Sequence, residues 1–295
     1  MAANASGENQ VVLCMHHNDA DGRCSAAIVR RALGAGVMMR EMDYEVVPIP
    51  WDDIAAADTI LIVDFSFPLD QMQRMMSTAE VIWIDHHKSS LEALADLNDL
   101  PGLRNLEEAA CVLTWKFLFP DQAVPIAVSY IGDRDIWRFA YEHTAAFCEG
   151  LFQEDTHPSN DSLWTPLLDG DDEPVHRLIE TGEILYQARL NQIKRRVKQD
   201  AFEVQFEGHR ALAINSRGSG DLGHAMCDEG YEVAYCYIDG YHNGRVLTNV
   251  ALFSEEIDVS VIASRFGGGG HPGAAGFTFW RTGSPFPEGA EVSFN

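Results

Sequence analysis

Three apolar runs in the first part of the chain each end in acidic residues or histidines. These runs lie at 11–15, 59–65 and 81–85, and a predicted helix near 122–132 ends in a fourth group of such residues. Continuous rather than alternating apolar runs indicate strands that are buried on both faces of a parallel sheet. Ligands bind beyond the carboxyl ends of the strands in such sheets. The pattern therefore predicts an α/β fold with a ligand site at one sheet edge.

The chain of 295 residues is long enough for two compact domains. We predict a doubly wound parallel-sheet domain over 1–172, a helical linker over 173–200 and a smaller α/β domain over 201–295. An acidic turn at 169–174 precedes the long charged helical pattern that suggests the linker. Further helices are predicted at 25–36, 69–79, 108–119 and 258–266, and further strands at 45–49, 202–206, 211–215, 233–238 and 245–253.

The formal net charge is −24, from 45 acidic and 21 basic side chains. Proteins that follow long nucleic acids present basic surfaces, because neutralising the phosphates drives that binding. The average field of this chain would repel such a polymer. The charge therefore argues against a long nucleic acid as the partner.

The cysteines and the N-terminal residues indicate the cellular compartment in which the protein is expected. The six cysteines include no C-x-x-C pair, which favours reduced thiols in a cytoplasmic protein and gives no sign of a zinc cluster. The first ten residues lack the pattern of a secretory signal. No apolar stretch is long enough to span a bilayer, so no membrane association is expected.

The residues after the apolar runs are those that bind metal ions. They are His17, Asp19 and Asp21, then Asp64, then Asp85, His86 and His87, and finally Asp133 and Asp135. Crowded carboxylates must either take up protons or hold cations. Each residue alone would be read as a turn or a helix cap. Their coincidence at successive strand ends favours a metal site, and mixed imidazole and carboxylate ligands suit Mn²⁺, with Mg²⁺, Co²⁺ and Zn²⁺ as alternatives.

Five segments together resemble one known family. They read HNDADG (17–22), VDFS (63–66), IDHHKSS (84–90), IGDRD (131–135) and RFGGGGHPGAAGF (265–277). The first four resemble the ordered motifs of the DHH phosphoesterases, and the last resembles the glycine-rich signature of the DHHA1 domain. The resemblance implies a hydrolase in which two metal ions activate a water molecule.

The resemblance also implies which residues bind the ions. One ion would be held by His17, Asp19 and Asp64, and the other by Asp21, Asp64, His86 and Asp133, with Asp64 bridging. His16 is the alternative to His17, and Asp135 is the alternative to Asp133. His87 would contact the scissile phosphate, and Asp85 would orient a histidine.

The glycine-rich segment would bind the substrate. Consecutive glycines expose backbone N–H groups and allow a ligand to approach closely. The predicted substrate-binding residues are Arg265, Gly267, Gly268, Gly269, Gly270 and His271. Outside the motifs, Trp137 is expected to pack in the core, and Arg134 to neutralise neighbouring acids.

The predicted substrate is a short oligonucleotide or a small nucleotide such as 3′-phosphoadenosine 5′-phosphate. A cyclic dinucleotide is the first alternative substrate, and a non-catalytic nucleotide-binding protein is the second alternative interpretation. Dimers are common among the relatives, so the resemblance also implies a homodimer.

Overall fold

The computed structural model describes residues 10–43 and 48–294. The chain forms two compact units, one ending at Tyr186 and the other beginning at Gln187. This boundary lies within a long helix, α9, which runs from Asp172 to Asp200. The domain limits expected at 172 and 201 stay predictions. No helix among the described residues is both long and apolar enough to cross a membrane.

The N-terminal unit is built on a four-stranded parallel sheet in the order β2-β1-β3-β4. Its strands are β1 (Val12–His17), β2 (Met38–Met42), β3 (Thr59–Val63) and β4 (Glu80–Ile84). Every residue of β3 is buried, as expected for a central strand covered on both faces. The predicted α/β class with a parallel sheet is confirmed.

Helices cover both faces of this sheet. The helices are α1 (Ala20–Leu33), α2 (Trp51–Ala56), α3 (Leu69–Met76), α4 (Lys88–Ala93), α5 (Ala110–Leu118), α6 (Ile126–Asp135), α7 (Thr144–Leu151) and α8 (Asp161–Asp169), with a short 3₁₀ helix at Ala95–Leu97. On one face, Ile60 and Ile62 pack with Met72 of α3. On the other face, Leu61 and Val63 pack in a second cluster with α1 and α5.

Strand β2 was not predicted. Its sequence MMREM places two exposed residues in the strand, so it lacks the apolar run that identifies the other three. The strand expected at 45–49 falls mainly on residues 44–47, which lie outside the described residues, and Pro48 and Ile49 are not in a strand.

Helix α1 begins earlier than the predicted residue 25 because Asp19 caps it. The Oδ1 atom of Asp19 accepts a hydrogen bond from the backbone N–H of Gly22 at 2.9 Å. A Cβ atom on Gly22 would lie 2.5 Å from the carbonyl oxygen of His17, so only glycine allows this close approach. The capping interaction is the usual one for an aspartate before a helix.

The C-terminal unit contains a seven-stranded mixed sheet in the order β11-β5-β6-β7-β8-β10-β9. Its strands are β5 (Phe202–Phe206), β6 (His209–Asn215), β7 (Val233–His242), β8 (Arg245–Phe253), β9 (Gly269–His271), β10 (Ala274–Trp280) and β11 (Val292–Ser293). Helices α10 (Gly220–Cys227) and α11 (Val259–Arg265), together with the part of α9 after Tyr186, complete it. The unit is thus α/β, as predicted.

Candidate metal centre

All but one of the predicted metal ligands gather at the carboxyl ends of β1, β3 and β4. In the order β2-β1-β3-β4, the chain passes from β1 to β2 on one side of β1. It then continues to β3 and β4, which lie on the other side of β1. A reversal of this kind opens a crevice beyond the strand ends, where ligands bind in α/β proteins. His17 is the last residue of β1, and Asp64 directly follows β3.

The first group of side chains consists of His17, Asp19 and Asp64. The Nδ1 atom of His17 lies 2.9 Å from Oδ2 of Asp19 and 3.7 Å from Oδ2 of Asp64. One donor atom from each residue lies within 4.8 Å of the others, a spacing that could hold a single ion. The structure therefore brings together all three residues expected around the first ion.

The second group centres on the Nε2 atom of His86. This atom lies 3.6 Å from Oδ2 of Asp21, 3.3 Å from Oδ1 of Asp64 and 3.2 Å from Oδ2 of Asp135. Burial lowers the pKa of His86 despite the charge of Asp21, which favours the neutral imidazole. Neutral imidazole is the form that binds metal ions.

Asp21 is held in place by the start of helix α5. Its Oδ2 and Oδ1 atoms accept hydrogen bonds, both of 2.8 Å, from the backbone N–H groups of Ala110 and Cys111. The N-terminus of a helix favours a negative charge because its first N–H groups lack partners within the helix. The helix thus fixes the carboxylate of Asp21 beside His86.

Asp64 belongs to both groups and is the least satisfied carboxylate of the site. Its side chain is 1% exposed, and neither oxygen has a hydrogen-bond partner among the described residues. Burial, followed by the charges of Asp19 and Asp21, raises the pKa of Asp64 well above its usual value. Its backbone φ is +55°, a left-handed conformation that is uncommon outside glycine and often found at functional sites. A cation between these acids would remove the penalty of burying this charge.

The side chains of Asp133 and Asp135 lie in different surroundings, and only that of Asp135 lies in the second group. Asp135 lies beside His86 and Asp21, within the second group. The carboxylate of Asp133 points away and accepts hydrogen bonds from the backbone N–H groups of Ala140, at 2.9 Å, and Tyr141, at 3.2 Å. The expected ligand Asp133 is thus absent from the cluster, and its alternative Asp135 takes that place. Residues two apart at a helix end point in different directions, and the sequence alone did not show which one faces the crevice.

Asp85 and His87 form a hydrogen-bonded pair next to the second group. Oδ1 of Asp85 lies 2.7 Å from Nδ1 of His87, and it also accepts the backbone N–H groups of His86 at 2.8 Å and of His87 at 3.2 Å. Burial lowers the pKa of His87, but the hydrogen bond and charge of Asp85 outweigh it and raise the pKa above its ordinary value. Asp85 thus orients the imidazole of His87 and favours its protonated form.

The alternative ligand His16 lies outside these groups. Its Nδ1 atom lies 2.8 Å from the carbonyl oxygen of His17, and its side chain is buried. Because alternate residues of a strand point to opposite faces, His16 and His17 cannot both reach the crevice. The structure places His17 there.

The glycine-rich segment forms a tight hairpin of β9 and β10 rather than a loose loop. A Cβ atom on Gly268 would lie 2.0 Å from the carbonyl oxygen of Gly276, so the glycine permits close packing of the chain on β10. Arg265 is paired with the buried carboxylate of Glu207, whose Oε2 lies 2.5 Å from Nη1 of Arg265. Its role in substrate binding, like that of the glycines and His271, stays a prediction.

The donor set fits divalent ions. A buried carboxylate without hydrogen-bond partners lies between two histidines, and further carboxylates stand on either side. Hard oxygen donors combined with imidazole suit Mn²⁺ and similar ions. The residues that could hold them are His17, Asp19 and Asp64 for one ion, and Asp21, Asp64, His86 and Asp135 for the other.

A family model matches part of the N-terminal unit. Residues 10–129 match the N-terminal domain of the DHH family. The matched stretch contains every residue of the candidate centre except Asp135, so this part of the chain is similar to the DHH family.

Similar proteins share the fold over most of the chain. The solved DHH domain of a protein assigned to a family of ribosomal proteins is 13% identical with a TM-score of 0.54, and the alignment covers 92% of this chain and 83% of that one. An exopolyphosphatase-related protein from Bacteroides fragilis is 15% identical with a TM-score of 0.54, over 93% of this chain and 88% of that one.

A curated sequence is also similar. An uncharacterised protein, R106, of Acanthamoeba polyphaga mimivirus is 26% identical over 231 residues, which cover 75% of this chain and 53% of that protein. The chain thus spans about half the length of this relative.

Proposed function

We propose that the protein is a phosphoesterase that uses two divalent metal ions to hydrolyse short oligonucleotides or small nucleotides. The observation that carries the proposal is the carboxylate of Asp64. Its Oδ1 atom faces His86 and its Oδ2 atom faces His17. Both oxygens are buried, and within residues 10–43 and 48–294 neither has a hydrogen-bond partner. A carboxylate with one oxygen towards each of two donor groups is arranged to bridge two cations.

When bound, paired divalent ions would lower the pKa of a water molecule and stabilise the attacking and leaving oxygens of a phosphate ester. We propose His17, Asp19, Asp21, Asp64, His86 and Asp135 as their ligands, with Mn²⁺ as the preferred ion. The DHH-family domain supports this chemistry, because the family consists of phosphoesterases and nucleases.

His87 would act on the phosphate. Asp85 holds Nδ1 of His87, so the imidazole is fixed in orientation and its Nε2 is the nitrogen that can donate to a phosphate oxygen. The raised pKa of His87 favours the protonated imidazole, whose charge would face the negative charge that develops on the phosphate. In this proposal the C-terminal unit is the DHHA1 domain, and its segment 265–271 contributes substrate-binding residues.

The proposal is tested by measuring hydrolysis with added Mn²⁺, analysed by chromatography. The panel contains pApA, a longer RNA, 3′-phosphoadenosine 5′-phosphate, cyclic di-AMP and inorganic polyphosphate. The last is included because one solved relative is described as exopolyphosphatase-related. We expect Mn²⁺-dependent cleavage of pApA or 3′-phosphoadenosine 5′-phosphate, and none by the Asp64→Asn variant.

The other outcomes separate the alternatives. Cleavage of cyclic di-AMP alone would identify a cyclic dinucleotide phosphodiesterase. Binding of nucleotides without any cleavage, in protein that binds Mn²⁺, would contradict the proposal and support a nucleotide-binding protein.

A further inference from the structure

Three aromatic rings surround the side chain of Arg134, the residue that precedes the candidate ligand Asp135 in the chain. The guanidinium carbon of Arg134 lies 5.5 Å from the ring centre of Trp137, 5.9 Å from that of Phe139 and 5.5 Å from that of Phe152. These distances are within the range of a cation–π interaction. The rings of Trp137 and Phe139 meet edge to face at 4.8 Å.

These rings are not a closed core. Trp137 and Phe139 are only partly buried, and Phe152 is 48% exposed. Trp137 was expected to pack in the core, yet aromatic rings that only fill a core are normally buried on all sides. The cluster therefore presents aromatic surface to solvent within a few residues of the metal centre.

The backbone that carries two of the rings is strained. The φ angles of Trp137 and Phe139 are +56° and +48°, in the left-handed region that large side chains rarely occupy. The hydrogen bonds from Ala140 and Tyr141 to the carboxylate of Asp133 hold this turn in place. Strained residues of this kind persist where the surrounding structure fixes them, and they concentrate at functional sites.

From this arrangement we infer that Trp137, Phe139 and Phe152 form a stacking surface for the base of a nucleotide whose phosphate lies at the metal centre. The inference rests on the proposed phosphoesterase function and narrows its substrate class. A flat ring stacks on aromatic side chains without needing a basic surface, so this mode of binding suits a chain with a net charge of −24. An inorganic polyphosphate has no ring and would gain nothing from it.

The test measures the binding of adenosine 5′-monophosphate and of ribose 5-phosphate by calorimetry with Mn²⁺ present. Chromatography confirms that each ligand is intact at the end of the titration. The wild-type protein should bind the ligand with a base about tenfold more tightly, the size expected for one stacked base. Trp137→Leu and Phe139→Leu should remove this preference, and their affinity for ribose 5-phosphate should not change.

Two control variants separate stacking from structural damage. Trp137→Phe keeps an aromatic ring and should keep the preference for the base. Tyr241→Leu removes an aromatic side chain that is 79% exposed in the C-terminal unit, and it should change neither affinity. Phe152→Leu serves as the test variant if Trp137→Leu and Phe139→Leu fail to fold, because Phe152 has an ordinary helix-end backbone and is half exposed.

The inference is overturned if the wild-type protein binds both ligands equally, binds neither, or if the leucine variants keep the preference for the base. The proposed function has a separate failure, namely the absence of hydrolysis of every phosphate ester in the panel. If the protein cleaves phosphate esters but binds both ligands equally, the proposed function is therefore supported and only the proposed stacking surface is contradicted.

Discussion

Asp133 and Asp135 are two residues apart at the end of α6, yet their carboxylates have separate tasks. Asp135 lies 3.2 Å from Nε2 of His86, whereas Asp133 holds the turn that follows the helix by accepting the N–H groups of Ala140 and Tyr141 and the hydroxyl of Thr144. In the proposed centre this division would separate binding of the metal by Asp135 from support of the loop by Asp133.

The two aspartates therefore form a matched pair for mutation. Asp135→Asn should lower kcat/KM by more than about 100-fold. The loss of a metal ligand should reduce activity more than the loss of a residue that only orients a ligand. Asp133→Asn should lower the free energy of unfolding by about 2 kcal/mol, because it loses charged hydrogen bonds. Steady-state kinetics and urea unfolding measure the two effects, and a larger loss of Mn²⁺ affinity in Asp133→Asn would contradict the assignment.

Asp64→Asn should remove hydrolysis while the fold is retained. Asparagine tolerates the left-handed backbone of position 64, and it removes a buried charge among other acids. Thermal unfolding of the metal-free variant should therefore occur at the same temperature as in the wild type or higher. Turnover near the wild-type level in this variant would show that Asp64 does not bridge two ions.

Asp85 and His87 should act as one unit. Asp85→Asn and His87→Gln are each expected to lower kcat about 10- to 100-fold with little change in Mn²⁺ affinity, since Asp85 orients His87. The double variant should lose little more than either single variant, because each change removes the same interaction. Fully additive losses in the double-mutant cycle would mean that the two residues act independently.

Gly268→Ala should disturb the hairpin of β9 and β10. The new methyl group would lie 2.0 Å from the carbonyl oxygen of Gly276, and overpacking of this kind costs about 1–3 kcal/mol. Gly273→Ala is the control, because a Cβ atom there would meet its nearest neighbour, the carbonyl oxygen of Ser254, at 3.4 Å. Urea unfolding compares the two variants, and equal stabilities would show that this close approach is not needed.

The sequence predicted the central strands and the place of the site for a clear physical reason. Strands β1, β3 and β4 are buried on both faces, so they appear as apolar runs, and the polar residues after them must lie at one edge. Strand β2 is half exposed and leaves no such run. The local pattern of apolar and polar residues shows where a strand ends. It does not show in which direction each side chain at the end of a helix points.

The choice between Asp133 and Asp135 illustrates that limit. Both are acidic, both belong to the same helix end, and only the turn over 136–140 decides which one faces the crevice. The surroundings of Arg134 depend on the same turn. Its left-handed residues are Trp137 and Phe139, and neither is a glycine or asparagine that would have indicated a left-handed backbone in the sequence. The sequence expectation for Arg134, neutralisation of nearby acid, therefore gave no hint of the aromatic cluster.

The donors of the centre come from the ends of three strands and two helices, spread from His17 to Asp135. An ion shared among them would join distant parts of the chain and act as a cross-link, which stabilises most when it closes long loops. The ions proposed for catalysis would then also hold the N-terminal unit together. Chelation should accordingly speed proteolysis of the chain up to Tyr186 more than that of the chain after it.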